Sequence, residues 1–233
     1  MFRHRFLPLF LAWSLIIPLG LFTAGRVAAS CNPGRSADGQ YYWAASSEFP
    51  SSYVGGVSSY IYNYNPYVTG NGFSYAWVML AGGPGANHAQ IGNYKSANSR
   101  NVVIQFQISG QQPINVNFAA QPENRYTTYK ITASSNNTYN YYVDNTMVYS
   151  QVMPWTPNNA EWAAETWQLS SQMMGGVSNQ EYLSYNQDFH NASWFYATVN
   201  PWLSTTGSRN PSTYFGLGGT AYNFLTWDKT CAS

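Results

Sequence analysis

Charge is scarce in this 233-residue chain. Asp, Glu, Lys and Arg make up 8% of the residues, against roughly 25% in typical soluble domains. The ten basic side chains form no cluster, and this argues against a nucleic-acid partner. The surface must therefore be built from neutral polar residues and from aromatic residues, which reach 18%. Exposed Tyr and Trp rings suit sugar binding, and they also occur in β-proteins that bind nothing.

Histidine is scarce too, and the sequence patterns of metal sites and of serine hydrolases are absent. The chain has three histidines, and the two that follow residue 30, His88 and His190, lie far apart. No group of residues has the spacing of metal ligands, so we expect no metal and no cofactor. The pattern Gly-x-Ser-x-Gly is absent, and this removes the nucleophile elbow of serine hydrolases.

The chain has two cysteines, Cys31 and Cys231. In an exported protein they are expected to form a disulfide. The alternative is lipidation of Cys31, because Ala28-Ala29-Ser30-Cys31 resembles a bacterial lipobox, and it would leave Cys231 unpaired.

A long apolar run occurs once, at the N-terminus. Arg3 and Arg5 precede the apolar stretch Phe6 to Phe22, and small residues follow it up to Ser30. This order predicts a cleaved signal peptide over residues 1–30, although the stretch is also long enough for a signal anchor. Cleavage would leave residues 31–233 with seven basic and nine acidic side chains. We expect a secreted monomer that does not span a membrane.

Alternating polar and apolar residues predict β-strands through most of residues 31–233. In Asn101 to Ile108, for example, Val102, Ile104 and Phe106 share one face. Asp144-Asn145-Thr146 is a turn signal between two alternating runs, so the runs form a hairpin. Further strands are expected at 58–64, 76–80, 88–94, 114–118, 125–132, 194–199 and 221–227. About a dozen short strands predict an all-β, two-sheet antiparallel β-sandwich or jelly roll.

The chain shows no internal repeat and no linker, so residues 31–233 are predicted to form a single domain. Glycine-rich turns are expected at Gly82–Gly85 and Gly216–Gly219. Neither leads into a Lys-Ser/Thr helix start, so neither is a phosphate loop. The least ordered segments are expected at 31–40 and 203–213.

Residues 160–174 favour two structures at once. Asn158 followed by Glu161 fits a helix capping box, and the residues after it are good helix formers. The surrounding chain favours a strand, which we prefer because tertiary context overrides local propensity. On a strand, Glu161 and Glu165 share one face and Trp162 lies on the other.

Three short motifs resemble a known family. They are Ala76-Trp77-Val78, Ala89-Gln90-Ile91-Gly92 and the segment from Asn159 to Glu165, which reads Asn-Ala-Glu-Trp-Ala-Ala-Glu. Their order and spacing resemble the glutamic peptidases, or eqolisins, which are secreted acid endopeptidases with a lectin-like β-sandwich. The resemblance runs from about residue 75 to residue 167. It implies a concanavalin-like jelly roll, shared either with the peptidases or with a relative that is not a peptidase.

The resemblance also implies roles for five residues. Gln90 and Glu165 would be the catalytic dyad, while Trp77, Glu161 and Trp162 would contact a polypeptide substrate. Glu161 matches the glutamate of the family that is not catalytic. With an ordinary pKa near 4, Glu165 would take a proton from water at acidic pH, and the Gln90 amide would stabilise the oxyanion.

A second function remains open at this point. The chain could be a non-catalytic, lectin-like carbohydrate-binding or cell-surface module. Its ligand would then be a glycan, stacked on aromatic residues such as Tyr62, Tyr64, Trp155 and Trp194. The enzyme requires the Gln90 amide and the Glu165 carboxylate to lie within about 5 Å of each other on adjacent strands of a concave sheet, and the binding module does not.

Overall fold

A computed structural model describes residues 31–50, 53–82, 87–172 and 181–230. The predicted signal peptide over residues 1–30 lies outside these ranges, and so does Cys231. The signal peptide and the Cys31–Cys231 disulfide therefore stay predictions. Within the described ranges, no helix has the length and apolarity that a membrane crossing requires.

The described residues form fifteen strands and one short 3-10 helix, Pro211–Thr213. In chain order the strands are β1 (Tyr41–Glu48), β2 (Val54–Tyr62), β3 (Phe73–Ala81), β4 (His88–Ser96), β5 (Arg100–Gln107), β6 (Ile114–Ala119), β7 (Tyr126–Ala133), β8 (Thr138–Val143), β9 (Thr146–Val152), β10 (Asn159–Trp167), β11 (Glu181–His190), β12 (Ser193–Tyr196), β13 (Trp202–Thr205), β14 (Phe215–Gly219) and β15 (Phe224–Asp228).

The strands build two antiparallel sheets. The first has the order β13-β1-β10-β3-β4-β5-β6, and the second has the order β14-β15-β11-β2-β7-β8-β9, with β12 added beside β11. The inner faces pack against each other in one large apolar core that draws on both sheets. This arrangement confirms the predicted all-β, two-sheet antiparallel sandwich.

The segment with the ambiguous pattern is a strand, as preferred, and the capping-box helix is wrong. β10 pairs with β1 on one side and with β3 on the other along nearly its whole length. A backbone paired on both edges has all its ladder hydrogen bonds satisfied, and this outweighs a local helix preference of a few tenths of a kcal/mol per residue. Residues 168–171 form bends and turns, not a continuing helix, and residues 173–174 of the segment lie outside the described ranges.

The predicted hairpin is confirmed as β8 and β9. Its two-residue loop is Asp144-Asn145, with φ values of 47° and 63°. Positive φ at both central residues is the mark of a type I′ turn, whose twist matches that of the flanking strands. Asx residues adopt this conformation at lower cost than other side chains.

Two expectations about loops are corrected. Gly216–Gly219 belongs to strand β14 and is not a turn. A Cβ on Gly216 would come within 1.9 Å of the Trp227 ring, so glycine is present there to let that ring pack on the strand. Residues 203–213 are also more ordered than expected, because they include most of β13 and the 3-10 helix.

Residues near the two ends of the described chain are clasped together. The Arg35 guanidinium forms a two-pronged ion pair with the buried Asp228 carboxylate and also donates to Thr230 Oγ1, at 3.0 Å. Arg35 Nε donates to the carbonyl of Leu169 at 2.8 Å. This clasp brings residues 35 and 228–230 together, as the predicted disulfide would require.

Candidate functional site

The outward face of the seven-stranded sheet carries a groove with two depressions. One has a volume of about 480 Å³ and the other a volume of about 270 Å³. Three side chains line both of them, namely Gln90, Gln105 and Glu165. They come from the central strands β4, β5 and β10, so the junction of the groove rests on well-paired backbone.

Glu165 is held at this junction by Trp77. The indole Nε1 of Trp77 donates a hydrogen bond to Glu165 Oε2 at 3.0 Å. Burial raises the pKa of Glu165 to about 7, and the hydrogen bond from Trp77 opposes part of that rise. A carboxylate of this kind exchanges its proton near neutral pH, which is the property of a general base or acid. The pKa near 4 expected from the sequence is therefore too low.

Gln90 is oriented by a line of neutral hydrogen bonds. Its amide Nε2 donates to Gln105 Oε1 at 3.1 Å, and Gln105 Nε2 donates to Asn115 Oδ1 at 2.9 Å. A ring nitrogen of His88 lies 3.1 Å from the same Gln105 oxygen. A primary amide has two N–H groups, so Gln90 keeps a second donor for a ligand.

The strand register gives the positions of Glu165 and Gln90 relative to each other. Glu165 lies opposite Tyr75 on β3, and Gln90 lies opposite Met79 on the other side of the same strand. Trp77 stands between Tyr75 and Met79 on that face, next to Gly92 of β4. Gln90 and Glu165 therefore share one outward face, with Trp77 beside them. The expectation of adjacent strands is wrong, because β3 separates β4 from β10 and their partners on β3 are four residues apart. Glu161 lies opposite Met79, directly across β3 from Gln90.

Glu161 belongs to the groove as well. It lines the smaller depression together with Glu165, Trp43 and Met79. Burial raises the pKa of Glu161 to about 7, and repulsion by the Glu165 charge adds to the rise. Two partly desolvated carboxylates on one strand titrate as a pair, so each added negative charge makes the next one harder to form.

Trp162 corrects the sequence prediction. It is fully buried between the sheets, and its Nε1 donates to the carbonyl of Ser58 on β2 at 2.8 Å. The alternation along β10 turns it away from the groove, so it cannot contact a ligand there. Its role is to tie the two sheets together.

The four aromatic residues expected to bind a glycan do not form one surface. Tyr64 and Trp155 are buried in the core, at 1% and 6% exposure. Tyr62 packs against Tyr126 on the second sheet, and Trp194 packs on Phe189. A binding surface made of this particular set is therefore wrong.

Sequence reasoning missed Gln105, Trp43 and Met79 as groove residues. The alternation that puts Val102, Ile104 and Phe106 on one face of the strand puts Gln105 on the other, so a signal for Gln105 was present. What the sequence could not supply was that this face lines a groove. Among the described residues, no group of three or more His, Cys, Asp or Glu side chains is arranged to hold a metal ion.

No family model matches the sequence, and no curated protein matches it either. Solved structures do match. Scytalido-glutamic peptidase, solved with a peptide-based transition-state analogue, superimposes with a TM-score of 0.56 at 12% identity, over 83% of this chain and 100% of that one. SCP-B, an eqolisin solved with the tripeptide Ala-Ile-His, gives 0.57 at 11% identity over the same shares.

The chain has the fold of the glutamic peptidases. The resemblance read from three short motifs is thus confirmed for the architecture. Within this glutamic-peptidase fold, Gln90, Trp77 and Glu165 occupy the outward face of the seven-stranded sheet. At 11–12% identity the likeness concerns the fold alone.

The partly buried Glu165 carboxylate makes the stability of the fold depend on pH. The folded pKa of Glu165, about 7, exceeds the unfolded value of 4.5, so its protonated form favours folding below about pH 4.5 and this contribution is lost as the pH rises through 7. Glu165→Gln should therefore raise Tm by about 5–10 °C at pH 8, equivalent to about 3 kcal/mol, and leave it nearly unchanged at pH 4. Thermal melts at both pH values test this.

The matched control is Glu123→Gln, because Glu123 is exposed and pairs with Arg100 at 3.5 Å. This variant should gain no stability at pH 8. If Glu165→Gln shifted Tm equally at pH 4 and pH 8, the raised pKa would be wrong.

Proposed function

We propose that this protein is a glutamic-peptidase-like hydrolase that cleaves peptide bonds with a water molecule activated by Gln90 and Glu165. The observation that carries the proposal is that these two side chains line both depressions of one groove, where the Trp77 indole holds the carboxylate. A base and a hydrogen-bond donor at one junction are the two groups that amide hydrolysis needs.

In the proposed reaction, ionised Glu165 takes a proton from water as the oxygen attacks the scissile carbonyl carbon. The free N–H of Gln90 donates to the carbonyl oxygen, which becomes negatively charged in the tetrahedral intermediate. Glu165 then gives its proton to the amide nitrogen as the C–N bond breaks. The products are a carboxylic acid and an amine, and Glu165 returns to its ionised form.

The proposed substrate is an extended polypeptide lying across both depressions. The walls of the larger depression are aromatic rings, such as Tyr41, Phe73 and Tyr94, and neutral amides, such as Asn101 and Asn115. Such walls can pack on apolar side chains and hydrogen-bond a peptide backbone. The structural relatives SCP-B and scytalido-glutamic peptidase were solved with peptide ligands, and this supports the same ligand class here.

Activity tests on single variants separate the roles. With a denatured, unstructured protein substrate, Glu165→Gln and Gln90→Ala should each reduce kcat/KM by about 10²–10⁴-fold, since one removes the base and the other the oxyanion donor. Glu161→Gln is the matched control, because it changes a neighbouring groove carboxylate and should cost less than tenfold. Product formation is followed by mass spectrometry of the released peptides.

Equal activity in the wild type, Glu165→Gln and Gln90→Ala would remove the proposal. Loss in Glu161→Gln with full activity in Glu165→Gln would move the base to the other glutamate.

The pH profile tests the base directly. The family resemblance places activity at acidic pH, but a base with a pKa of about 7 is mostly protonated there. We therefore expect kcat/KM to rise with pH along a limb centred near 7. Trp77→Phe removes the hydrogen bond that lowers this pKa, so the limb should move to higher pH while the protein stays folded.

A limb centred near pH 4, or one that Trp77→Phe leaves in place, would contradict the assignment of Glu165. Thermal melts of Trp77→Phe are needed alongside, because the ring also packs with Tyr75 and Val103.

We further propose that the protein is exported, cut after residue 30 and closed by a Cys31–Cys231 disulfide, since the Arg35–Asp228 clasp already joins both ends of the described chain. Intact-mass analysis of the exported protein should give an N-terminus at Cys31 and a mass 2 Da below that of the reduced form. A lipid on Cys31, with a free thiol at Cys231, would instead support the anchored alternative.

A further inference from the structure

The outward face of the eight-stranded sheet carries a continuous row of six tyrosines. We call this row the tyrosine platform. Its ring centroids follow one another at 5.1, 5.1, 6.4, 5.3 and 4.4 Å, in the order Tyr62, Tyr126, Tyr60, Tyr185, Tyr222 and Tyr196. Five of the six tyrosines lie on β2, β7, β11 and β12 of that sheet, and Tyr222 lies in the loop before β15. The platform is therefore on the opposite side of the sandwich from the groove.

The platform is open to solvent. Tyr60, Tyr185 and Tyr196 are 40%, 56% and 53% exposed, so their rings are not there to fill the core. Partial desolvation raises the pKa of the Tyr222 hydroxyl to about 12, and the neighbouring Tyr196 and Tyr185 add to the rise. The Tyr222 ring packs edge-on against Tyr185 and Tyr196, with interplanar angles of 82° and 74°, so the row ends in three packed phenol rings.

A depression of about 260 Å³ opens between Tyr60 and Tyr185. Its other walls are small and polar, namely Ser58, Ser59, Thr128 and Gln187. None of these six lining residues carries a charge. The depression thus combines two exposed ring faces with neutral hydroxyl and amide groups.

The backbone holds Tyr185 in a strained conformation. Its φ is +55°, which a bulky residue adopts only at a cost of about 1–3 kcal/mol. The residue sits in a β-bulge, where the β11–β2 register shifts between Ser184 and Gln187. Bulges re-aim side chains next to binding sites, and this one turns the Tyr185 ring onto the platform.

Hydrogen bonds from several elements keep this strain in place. Tyr185 N–H donates to Asn223 Oδ1 at 3.0 Å. The next residue, Asn186, is fully buried, and its side chain accepts from Ser59 Oγ at 2.7 Å and donates to the carbonyl of Ala221 at 2.9 Å. A strained residue fixed this firmly, with its ring exposed, points to a ligand rather than to packing.

We propose that the tyrosine platform binds a neutral oligosaccharide, with one sugar ring in the depression between Tyr60 and Tyr185. The apolar faces of a pyranose stack on flat aromatic rings, while its hydroxyls require neutral donors and acceptors around the edge, which Ser58, Thr128 and Gln187 provide. Tyr supplies such contact area at low entropic cost because it has few rotatable bonds.

Charge and polarity favour this ligand over others. Lys130 lies on the same face two residues from Thr128, but its ammonium packs over the Tyr142 ring at 4.6 Å and donates to Asn145 Oδ1. The depression therefore offers no cation to an acidic sugar. A proline-rich peptide would also stack on tyrosines, but it would leave most of the surrounding hydroxyls unpaired, at a cost for each polar group.

Calorimetric titration with defined oligosaccharides tests the proposal. The probes are hexamers of β-1,4-glucose, β-1,3-glucose, α-1,4-glucose and β-1,4-N-acetylglucosamine, with hexagalacturonate as the acidic comparison. At least one neutral hexamer should bind saturably, and hexagalacturonate should not. Tyr60→Ala and Tyr185→Gly should each weaken binding at least tenfold.

Two controls keep the result specific. Tyr142→Ala removes a tyrosine on the same face outside the platform, and Glu165→Gln alters the groove; both should bind the sugar within twofold of the wild type. Tyr185→Gly should retain its Tm, because glycine relieves the positive φ while it removes the ring.

Four results would overturn the proposal. They are no saturable binding of any neutral hexamer, equal binding by all variants, binding of decaproline in place of the sugars, and a concentration-dependent dimer in sedimentation that Tyr185→Gly dissolves. The last would show that the platform is covered by a second copy of the chain.

Discussion

The alternation of side chains along β10 is the constraint on which the rest depends. This strand lies between β1 and β3, so its backbone is fully paired and each side chain must face either the core or the groove. Trp162 enters the core and bonds to the other sheet, while Glu161 and Glu165 remain on the groove side. A shift of one residue would bury both carboxylates between the sheets.

The ionised carboxylates of the groove lower the stability of the folded protein. The Trp77 indole donates a hydrogen bond to Glu165, which otherwise lies among aromatic rings and neutral amides. Its charge is therefore poorly solvated, and this is unfavourable for stability and favourable for proton transfer. In a chain with so few charged residues, local burial and single hydrogen bonds set these pKa values more than the overall field of the protein does.

The sequence was sufficient to predict structure where one face of a strand is apolar and the other face is polar. That pattern gave the all-β sandwich, and the family motifs gave Gln90, Trp77 and Glu165 on one face. The pattern failed where contacts between residues distant in sequence determine the role of a side chain. Gly216 reads as a turn residue until Trp227 is seen to pack on it, and Gln105 reads as a solvent-facing residue until its strand is placed beside Gln90. Trp162 was assigned to the groove by the family resemblance, although the alternation along its strand already placed it on the face opposite Glu161 and Glu165.

The Arg35–Asp228 clasp makes the connectivity of this sandwich nearly circular. Arg35 and Asp228, near the two ends of the described chain, are in direct contact. The Asp144-Asn145 turn is an exposed loop tip that is far from both residues in sequence. Joining the clasped ends with a short linker and opening the chain at that turn would leave every strand of both sheets intact. The contacts that build the groove therefore do not depend on the order in which the strands follow one another along the chain. A permuted chain would carry its two new termini at the β8–β9 hairpin.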